Sequence, residues 1–269
     1  MKFFGIFLFL SLIVFFGCKK RSEKNIQPSK DFALISNNIQ TIIPLVSSVA
    51  LSGAQLRLAM SSGIDSVNTC ASFTLVSGDT LNVSNASPLV FDIDFSSGCV
   101  DNDGWDKSGV IRCTLYGFME NIGANCSCSF VGFEINGNRL SGGISITNTG
   151  ALSLLITTSS LALKVGKKYI YIDTDMRSTQ IEGSLTPNNL LDNSYLVSST
   201  ANLTDRYNNE FEVFAEELHK DYSCKWITTG IAELNDKDNN PQVIDFGSNS
   251  CDSEAIISIE EKVYTIELE

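Results

Sequence analysis

Residues 130–147 read FVGFEINGNRLSGGISIT, and this stretch decides the fold class. Asn136-Gly137 separates two apolar runs, Phe130–Ile135 and Leu140–Thr147. An Asn-Gly pair in that position is the strongest short-range signal for a β-hairpin. Apolar and polar residues alternate toward the end of the second run, as in a strand with one buried face. The stretch therefore predicts two neighbouring antiparallel strands.

Similar short runs, separated by turn residues, occupy most of the chain on both sides of this hairpin. They lie at 89–95, 110–116, 152–165, 169–173, 196–204, 210–218, 224–234, 242–246, 255–259 and 263–268. Many strands of this length, joined by short turns, are typical of an antiparallel meander or of sandwich-like sheets. The sequence therefore predicts a mainly β protein.

One segment before the strands has a helical pattern instead. Apolar residues recur at helix-like intervals between Phe32 and Gly63. Pro44 lies inside this segment, and proline is tolerated in the first turn of a helix but not in its interior. The pattern therefore predicts an N-terminal helix from about Pro44 to Met60, which would cover one end of the sheet.

The N-terminus has the features of an export signal. Lys2 precedes the apolar run Phe3–Phe16, and Gly17-Cys18 closes it. About 14 apolar residues are too few for a membrane span, which needs roughly 20. We expect residues 1–17 to be a lipoprotein signal peptide and Cys18 to carry the lipid. An ordinary signal peptide with an incidental cysteine and a retained N-terminal span are the alternatives.

The residues after Cys18 divide into a tether and a large domain. Residues 18–31 are polar and predict a flexible tether. Residues 32–269 form the predicted β-rich domain with its helical N-terminal segment. The formal net charge is -12, and the sequence pI is about 4.5. A phosphate backbone repels such a surface, which argues against nucleic acid as a partner.

Two similar segments indicate how four cysteines pair. Residues 92–99 read DIDFSSGC and residues 244–251 read IDFGSNSC, so each ends in a cysteine after a strand and a turn. Each is preceded by another cysteine, Cys70 or Cys224 respectively. We therefore predict the disulfides Cys70–Cys99 and Cys224–Cys251 and two related halves, at about 66–175 and 176–269.

Three further cysteines, Cys113, Cys126 and Cys128, have no predicted partner. A structural zinc site needs cysteines at CxxC-type spacing or histidines. The chain has one histidine, His219, and its charged neighbours indicate a surface position. We therefore expect no metal site and no cofactor, and the state of the three thiols stays open.

The segment Ile93–Cys99, followed by Asp103-Gly104 and Ser108–Ile111, resembles a group of uncharacterised Bacteroidetes-type β-rich lipoproteins. The resemblance continues through Phe133–Asn138 and closes with Ile244–Asp252. It implies a β-rich exported lipoprotein and no known activity.

The resemblance also bears on location. In lipoproteins of this group, export to the cell surface is associated with an acidic cluster soon after the lipidated cysteine. Here Lys19-Lys20-Arg21 stands at that place. The expected location is therefore the bacterial outer membrane, on its periplasmic side rather than at the cell surface.

Two acidic segments and several aromatic residues are candidate binding sites. Asp101–Asp106 and Asp236–Pro241 have the oxygen ligands that calcium prefers, although polar turns have the same composition. Aromatic residues could form a platform for sugar rings, or they could pack in the core. They are Trp105, Tyr116, Phe118, Tyr169, Tyr171 and Trp226.

No known catalytic motif is present, neither Gly-x-Ser-x-Gly nor His-Glu-x-x-His. The sequence therefore favours a non-enzymatic lipoprotein that is attached to the membrane through Cys18 and binds or scaffolds a partner. The alternative is a surface glycan- or ligand-binding module of an uptake system. A hydrolase is less favoured, because the sequence does not show two carboxylates facing each other.

Overall fold

The computed structural model describes residues 25–62, 69–150, 152–183 and 187–268. Helix α1 is Gln27–Val49, helix α2 is Gly53–Ser62, and Pro187–Asp192 form a 3-10 helix. The strands are β1 Ser72–Ser77, β2 Leu89–Asp94, β3 Cys99–Val100, β4 Asp106–Leu115, β5 Asn125–Ile135, β6 Asn138–Gly150, β7 Ser153–Val165, β8 Lys168–Glu182, β9 Ser194–Thr204, β10 Glu210–Asp221, β11 Thr229–Asp236, β12 Pro241–Ser248, β13 Glu254–Ile259 and β14 Lys262–Glu267.

These strands form a single antiparallel sheet in meander order. Each strand pairs with its neighbours along the chain, except that β2 pairs with β4 and the short β3 pairs with β4 alone. The Asn-Gly hairpin is present: β5 and β6 pair from Ile135↔Asn138 to Asn125↔Thr147. The predicted fold class, mainly β with an N-terminal helix, is therefore confirmed. The proposed boundary at 175/176 falls inside β8, so the sheet is continuous where the two halves were expected to separate.

Glycines at bulges bend several of the strands. The register of the strand pairs shifts at Gly109 in β4, Gly142 in β6 and Gly230 in β11. All three glycines have positive φ, at 78°, 92° and 112° respectively. A bulge bends its strand and increases the local right-handed twist. Gly109, Gly142 and Gly230 therefore mark points at which the sheet curls.

The curl brings distant strands together. Trp105 precedes β4 and Trp226 precedes β11, and their rings form an edge-to-face pair with centroids 5.3 Å apart. Seven strand spacings of about 4.8 Å would place β4 and β11 about 34 Å apart in a flat sheet. The sheet therefore wraps around an interior, which the buried faces of its strands line.

Helix α1 occupies this interior. All its residues except Gln27, Lys30 and Ser47 are buried. By length and composition it is apolar enough to cross a membrane, but 94% of its most apolar 18-residue window is buried inside the protein. A helix that is apolar and covered on every side is a core helix.

Polar contacts fix α1 inside the sheet. The buried Asp31 carboxylate accepts hydrogen bonds from the backbone N–H of Arg206, at 2.9 Å, and from its Nε, at 2.7 Å. Arg206 lies in the turn between β9 and β10. Ser29 Oγ donates to Gln242 Oε1 of β12, and the N–H of Ile227 donates to Asn37 Oδ1. These bonds place the N-terminal half of the helix against the later strands.

The predicted helix boundaries were wrong. The helix begins at Gln27 rather than at Pro44, and it ends at Val49, before a second helix starts at Gly53. Pro44 lies in the interior of α1, because burial on all sides outweighs the loss of one backbone hydrogen bond.

The prediction that residues 18–31 form a flexible tether was wrong at its C-terminal end, since residues 27–31 are helical and Asp31 is buried. Cys18 lies outside the described residues.

Candidate functional site

A cavity of about 410 Å³ lies where the C-terminal end of α1 meets the loop between β4 and β5 and the ends of strands β6 to β9. Small-molecule sites are typically concave, apolar and 300–1,000 Å³ in volume. The apolar part of the wall is built by Pro44, Leu51, Met119, Leu152, Leu154 and Tyr195. The size and the lining are therefore those of a small-molecule site.

The backbone after α1 forms one wall of this cavity. The carbonyls of Ala50 and Leu51 accept hydrogen bonds from the N–H groups of Met119 and Glu120, each at 3.0 Å. The side chain of Asn148 joins the same loop to β6, because its Nδ2 donates to the carbonyl of Met119 at 2.7 Å. These bonds fix the β4–β5 loop and hold the Met119 side chain at the cavity.

A chain of neutral polar side chains lies along the other side of the cavity. Gln180 Nε2 donates to Asn193 Oδ1 at 3.0 Å, and Asn193 Nδ2 donates to Tyr195 Oη at 3.1 Å. Burial raises the pKa of Tyr195 to about 12, so its hydroxyl is protonated at neutral pH. The cavity thus combines apolar walls with neutral hydrogen-bonding groups, and its one charged lining residue, Glu120, is exposed to solvent. Such a lining suits an apolar molecule carrying an uncharged polar end.

The sequence did not indicate these residues. They come from α1, four connecting segments and four strands, and no two of these elements form a recognisable sequence motif together. Only the curling of the sheet brings them together. Polar residues near strand ends, such as Asn148 and Asn193, are the one local feature that could indicate the cavity. Ordinary turns have the same residues, so this feature does not distinguish a binding site from a turn.

The predicted aromatic platform is divided between the core and the surface. Trp105 is fully buried, and Tyr116, Phe118 and Trp226 are partly buried. Tyr169 and Tyr171 are 42% and 46% exposed on the outer face of β8, with their rings stacked at a centroid distance of 6.0 Å. A shallow outer groove of about 420 Å³ begins at the next outward residue of β8; it is lined by Asp173, Asp175, Asn202, Glu212 and Phe214, among others.

The acidic segment Asp101–Asp106 forms a buried ion-pair network. Lys107 Nζ lies 2.7 Å from Asp101 Oδ2 and 2.5 Å from Asp103 Oδ2, and all three side chains are at most 1% exposed. The carboxylates face the lysine, which takes the place that a calcium ion would need. Lys220 lies close to this network, and burial lowers its pKa to about 8.

The second acidic segment, Asp236–Pro241, forms the turn between β11 and β12. The Asp236 carboxylate accepts hydrogen bonds from the backbone N–H of Asp238 and Asn240 and from the Asn240 amide. These bonds hold the pKa of Asp236 below its usual value. The carboxylate therefore stabilises the turn, as an Asx-type turn predicts.

Both predicted disulfides are present. Cys70 is joined to Cys99 and Cys224 to Cys251, with Cα–Cα distances of 6.2 and 5.6 Å. Cys70–Cys99 links the chain before β1 to the chain after β2, and Cys224–Cys251 links the chain before β11 to the chain after β12. The similarity between the segments at 92–99 and 244–251 therefore reflects two similar local units, which meet at the Trp105–Trp226 contact.

The remaining described cysteines converge on the inner face of the sheet. Cys113 of β4 is paired in register with Cys128 of β5, and Cys126 lies two residues before Cys128. All three are buried and unbonded, and their sulfurs lie within 4.8 Å of one another. Burial raises the pKa of Cys113 and Cys128 well above the ordinary thiol value, so both are neutral. The alternate spacing of Cys126 and Cys128 places these two thiols on one face of a strand, but only the register of β4 with β5 brings Cys113 to them.

His219 lies in a small polar group at the end of β10. Its Nδ1 is 3.0 Å from Thr228 Oγ1 and 3.8 Å from Asp221 Oδ1. Ser194 Oγ donates to Asp221 rather than to the imidazole. These side chains therefore do not form the hydroxyl–imidazole–carboxylate order of an acyl-transfer triad.

The chain was compared with protein-family models, with curated proteins and with solved structures, and none of the three comparisons found a match.

Proposed function

We propose that this protein is a non-enzymatic binding protein that carries a small apolar molecule in the cavity at the C-terminal end of α1. The observation that carries the proposal is the cavity itself, with a volume of about 410 Å³. Neutral groups, Tyr195 and the amides of Asn148, Gln180 and Asn193, line it. A ligand with one uncharged polar end would fill the cavity and use these groups.

Burial of apolar surface supplies the affinity in this proposal. Each square ångström removed from water contributes about 25 cal/mol, so a ligand burying roughly 250 Å² of apolar surface gains about 6 kcal/mol before the costs of association. A charge placed in the cavity wall should remove much of this gain, because the ligand would then desolvate the charge on binding.

The fluorescent apolar amine N-phenyl-1-naphthylamine tests the proposal. The probe is titrated into a chain that starts at position 18 and carries Cys18→Ala, so that no lipid or detergent competes for it. We expect saturable binding, and Leu154→Asp should weaken it at least tenfold, equivalent to about 1.4 kcal/mol. Ile231→Asp is the matched control, since Ile231 is 53% exposed and does not line the cavity. Equal binding by both variants, or no saturable binding, would contradict the proposal.

We also propose that the protein is attached to the bacterial outer membrane through a lipid on Cys18, on the periplasmic side. Support comes from the order of Lys2, Phe3–Phe16 and Gly17-Cys18 and from the basic residues that follow. Cells grown with radiolabelled palmitate should label the protein, and Cys18→Ala should abolish the label. Protease added to intact cells should leave the protein uncut. Loss of the domain without lysis would place it at the cell surface.

A second candidate function is glycan binding on the outer face of the sheet. The observation that favours it is the stacked, exposed pair Tyr169 and Tyr171 beside a groove that contains carboxylate, amide and hydroxyl groups. Sugar rings combine apolar faces with hydroxyl edges, so they pack on aromatic rings and bond to such groups.

Neutral xylo-, malto- and cello-oligosaccharides test this second candidate by calorimetry. Binding of at least one of them should weaken tenfold or more when Tyr169→Ala and Tyr171→Ala are combined. Val263→Ala, an exposed site on β14, should leave the affinity unchanged. If no oligosaccharide binds, or if the double variant binds as tightly as the parent, the surface is not a glycan site.

A further inference from the structure

The three thiols of β4 and β5 are not at equal distances from one another. Cys113 Sγ lies 2.6 Å from Cys128 Sγ, whereas Cys126 Sγ lies 3.8 Å from Cys128 Sγ. The first distance is too short for two unbonded thiols, since even carbon atoms, which are smaller than sulfur, make optimal contacts at about 3.5–4.0 Å. The Cys113 and Cys128 sulfurs therefore already lie close to bonding distance.

Backbone geometry favours the same pair. Residues directly opposite in an antiparallel pair have Cα atoms about 4.5–5.5 Å apart, which is inside the range of disulfides. Cys126 and Cys128 are alternate residues of one strand, about 6.8 Å apart, at the limit of that range. Their side chains point in the same direction rather than toward each other.

The apolar surroundings argue against a metal ion as the occupant. The residues paired with the cysteines on the neighbouring strands include Phe91, Ile144 and Ile146, all on the buried face. Three thiolates that bind a monovalent ion have a net charge of −2, and three that bind a divalent ion have a net charge of −1. Burying uncompensated charge is costly, whereas a disulfide is neutral.

We propose that Cys113 and Cys128 form a third, cross-strand disulfide in the mature protein and that Cys126 remains a buried thiol. In this step the two thiols release two protons and two electrons, a sulfur–sulfur bond forms, and a disulfide-containing oxidant is reduced to its dithiol. The step rests on the proposed export, because exported proteins meet such oxidants. It takes place before the sheet closes around α1, since the sulfurs are buried afterwards.

This assignment accounts for the odd number of cysteines after Cys18. Six of the seven pair as Cys70–Cys99, Cys113–Cys128 and Cys224–Cys251, and Cys126 is the one left over. Because Cys126 is buried, with 0% of its surface exposed, it is protected from modification in the folded protein.

The test counts thiols in the chain that starts at position 18 with Cys18→Ala. The chain is refolded with reduced and oxidised glutathione, then unfolded without reductant and alkylated with iodoacetamide. We expect one alkylated cysteine, Cys126, and a non-reduced peptide pair that joins β4 to β5. Cys126→Ser should lower the count from one to none, and combining Cys113→Ala with Cys128→Ala should leave it at one.

Two results would overturn the proposal: three alkylated thiols although the other two disulfides have formed, or one zinc or copper ion per chain bound with all three thiols reduced. The same count on protein taken from cells tests the location separately. If all cysteines are reduced in cells while the third disulfide forms in vitro, export is wrong and the disulfide is absent from the cellular protein, although Cys113 and Cys128 remain the pair that the fold brings together.

Discussion

Replacing Lys107 with methionine is expected to lower the free energy of unfolding by about 3–5 kcal/mol. Lys107 is the cation between the Asp101 and Asp103 carboxylates, and the side chains of all three are at most 1% exposed. Methionine fills similar space but removes the only cation that contacts both buried carboxylates, Asp101 and Asp103, among the described ion pairs. Urea unfolding monitored by tryptophan fluorescence measures the loss, since the only two tryptophans, Trp105 and Trp226, lie beside this network.

Two variants control this prediction. Arg112→Met breaks an ion pair with Asp92 whose arginine side chain is 47% exposed, so its loss should stay below about 1 kcal/mol. Adding Asp101→Asn and Asp103→Asn to Lys107→Met removes both stranded charges and should restore part of the stability. If Lys107→Met costs no more than Arg112→Met, the network does not carry the stability assigned to it.

Gly142→Ala is expected to lower the free energy of unfolding by about 3 kcal/mol or more, through overlap and backbone strain together. A Cβ at Gly142 would lie 2.2 Å from the carbonyl oxygen of Ser160, and φ at this position is +92°. Ser160 also has positive φ, at 50°, so the two bulged strands fit tightly. The strands can make room only if the bulge that curls the sheet opens.

Gly104→Ala is the matched control for Gly142→Ala. Gly104 also has positive φ, at 81°, but a Cβ there would meet no atom within 4 Å. Gly104→Ala should therefore lower the free energy of unfolding by about 1 kcal/mol, which is the cost of placing a side chain on a left-handed backbone conformation. The difference between the two variants in urea unfolding measures the overlap alone. Equal losses would mean that the bulge at Gly142 is not closely packed.

The strands and the disulfides were predictable because local features determine them. The Asn136-Gly137 pair determined the central hairpin, and turn residues marked most of the other connections. The similar segments at 92–99 and 244–251 indicated the two disulfides, because both close the same local unit. The bulges at Gly109, Gly142 and Gly230 depend on the register of paired strands, which no local pattern determines.

The helix and the cavity were not predictable from local pattern. Pro44 indicated a helix start, yet α1 extends far to its N-terminal side because the curled sheet buries it on every face. The cavity depends on the same curl, since its walls come from segments that are distant along the chain. Hydrophobic periodicity describes which face of an element is buried, and it does not describe what covers that face.

The most direct test of the cavity as a ligand site uses the methionine methyl groups as probes. Met119 lines the cavity, whereas Met60 lies in α2 and does not. The chain is labelled with ¹³C at the methionine methyl groups and titrated with N-phenyl-1-naphthylamine while methyl NMR spectra are recorded. We predict that the Met119 resonance shifts to saturation at one probe per chain while the Met60 resonance stays in place. An unchanged Met119 resonance at saturating probe would contradict the account.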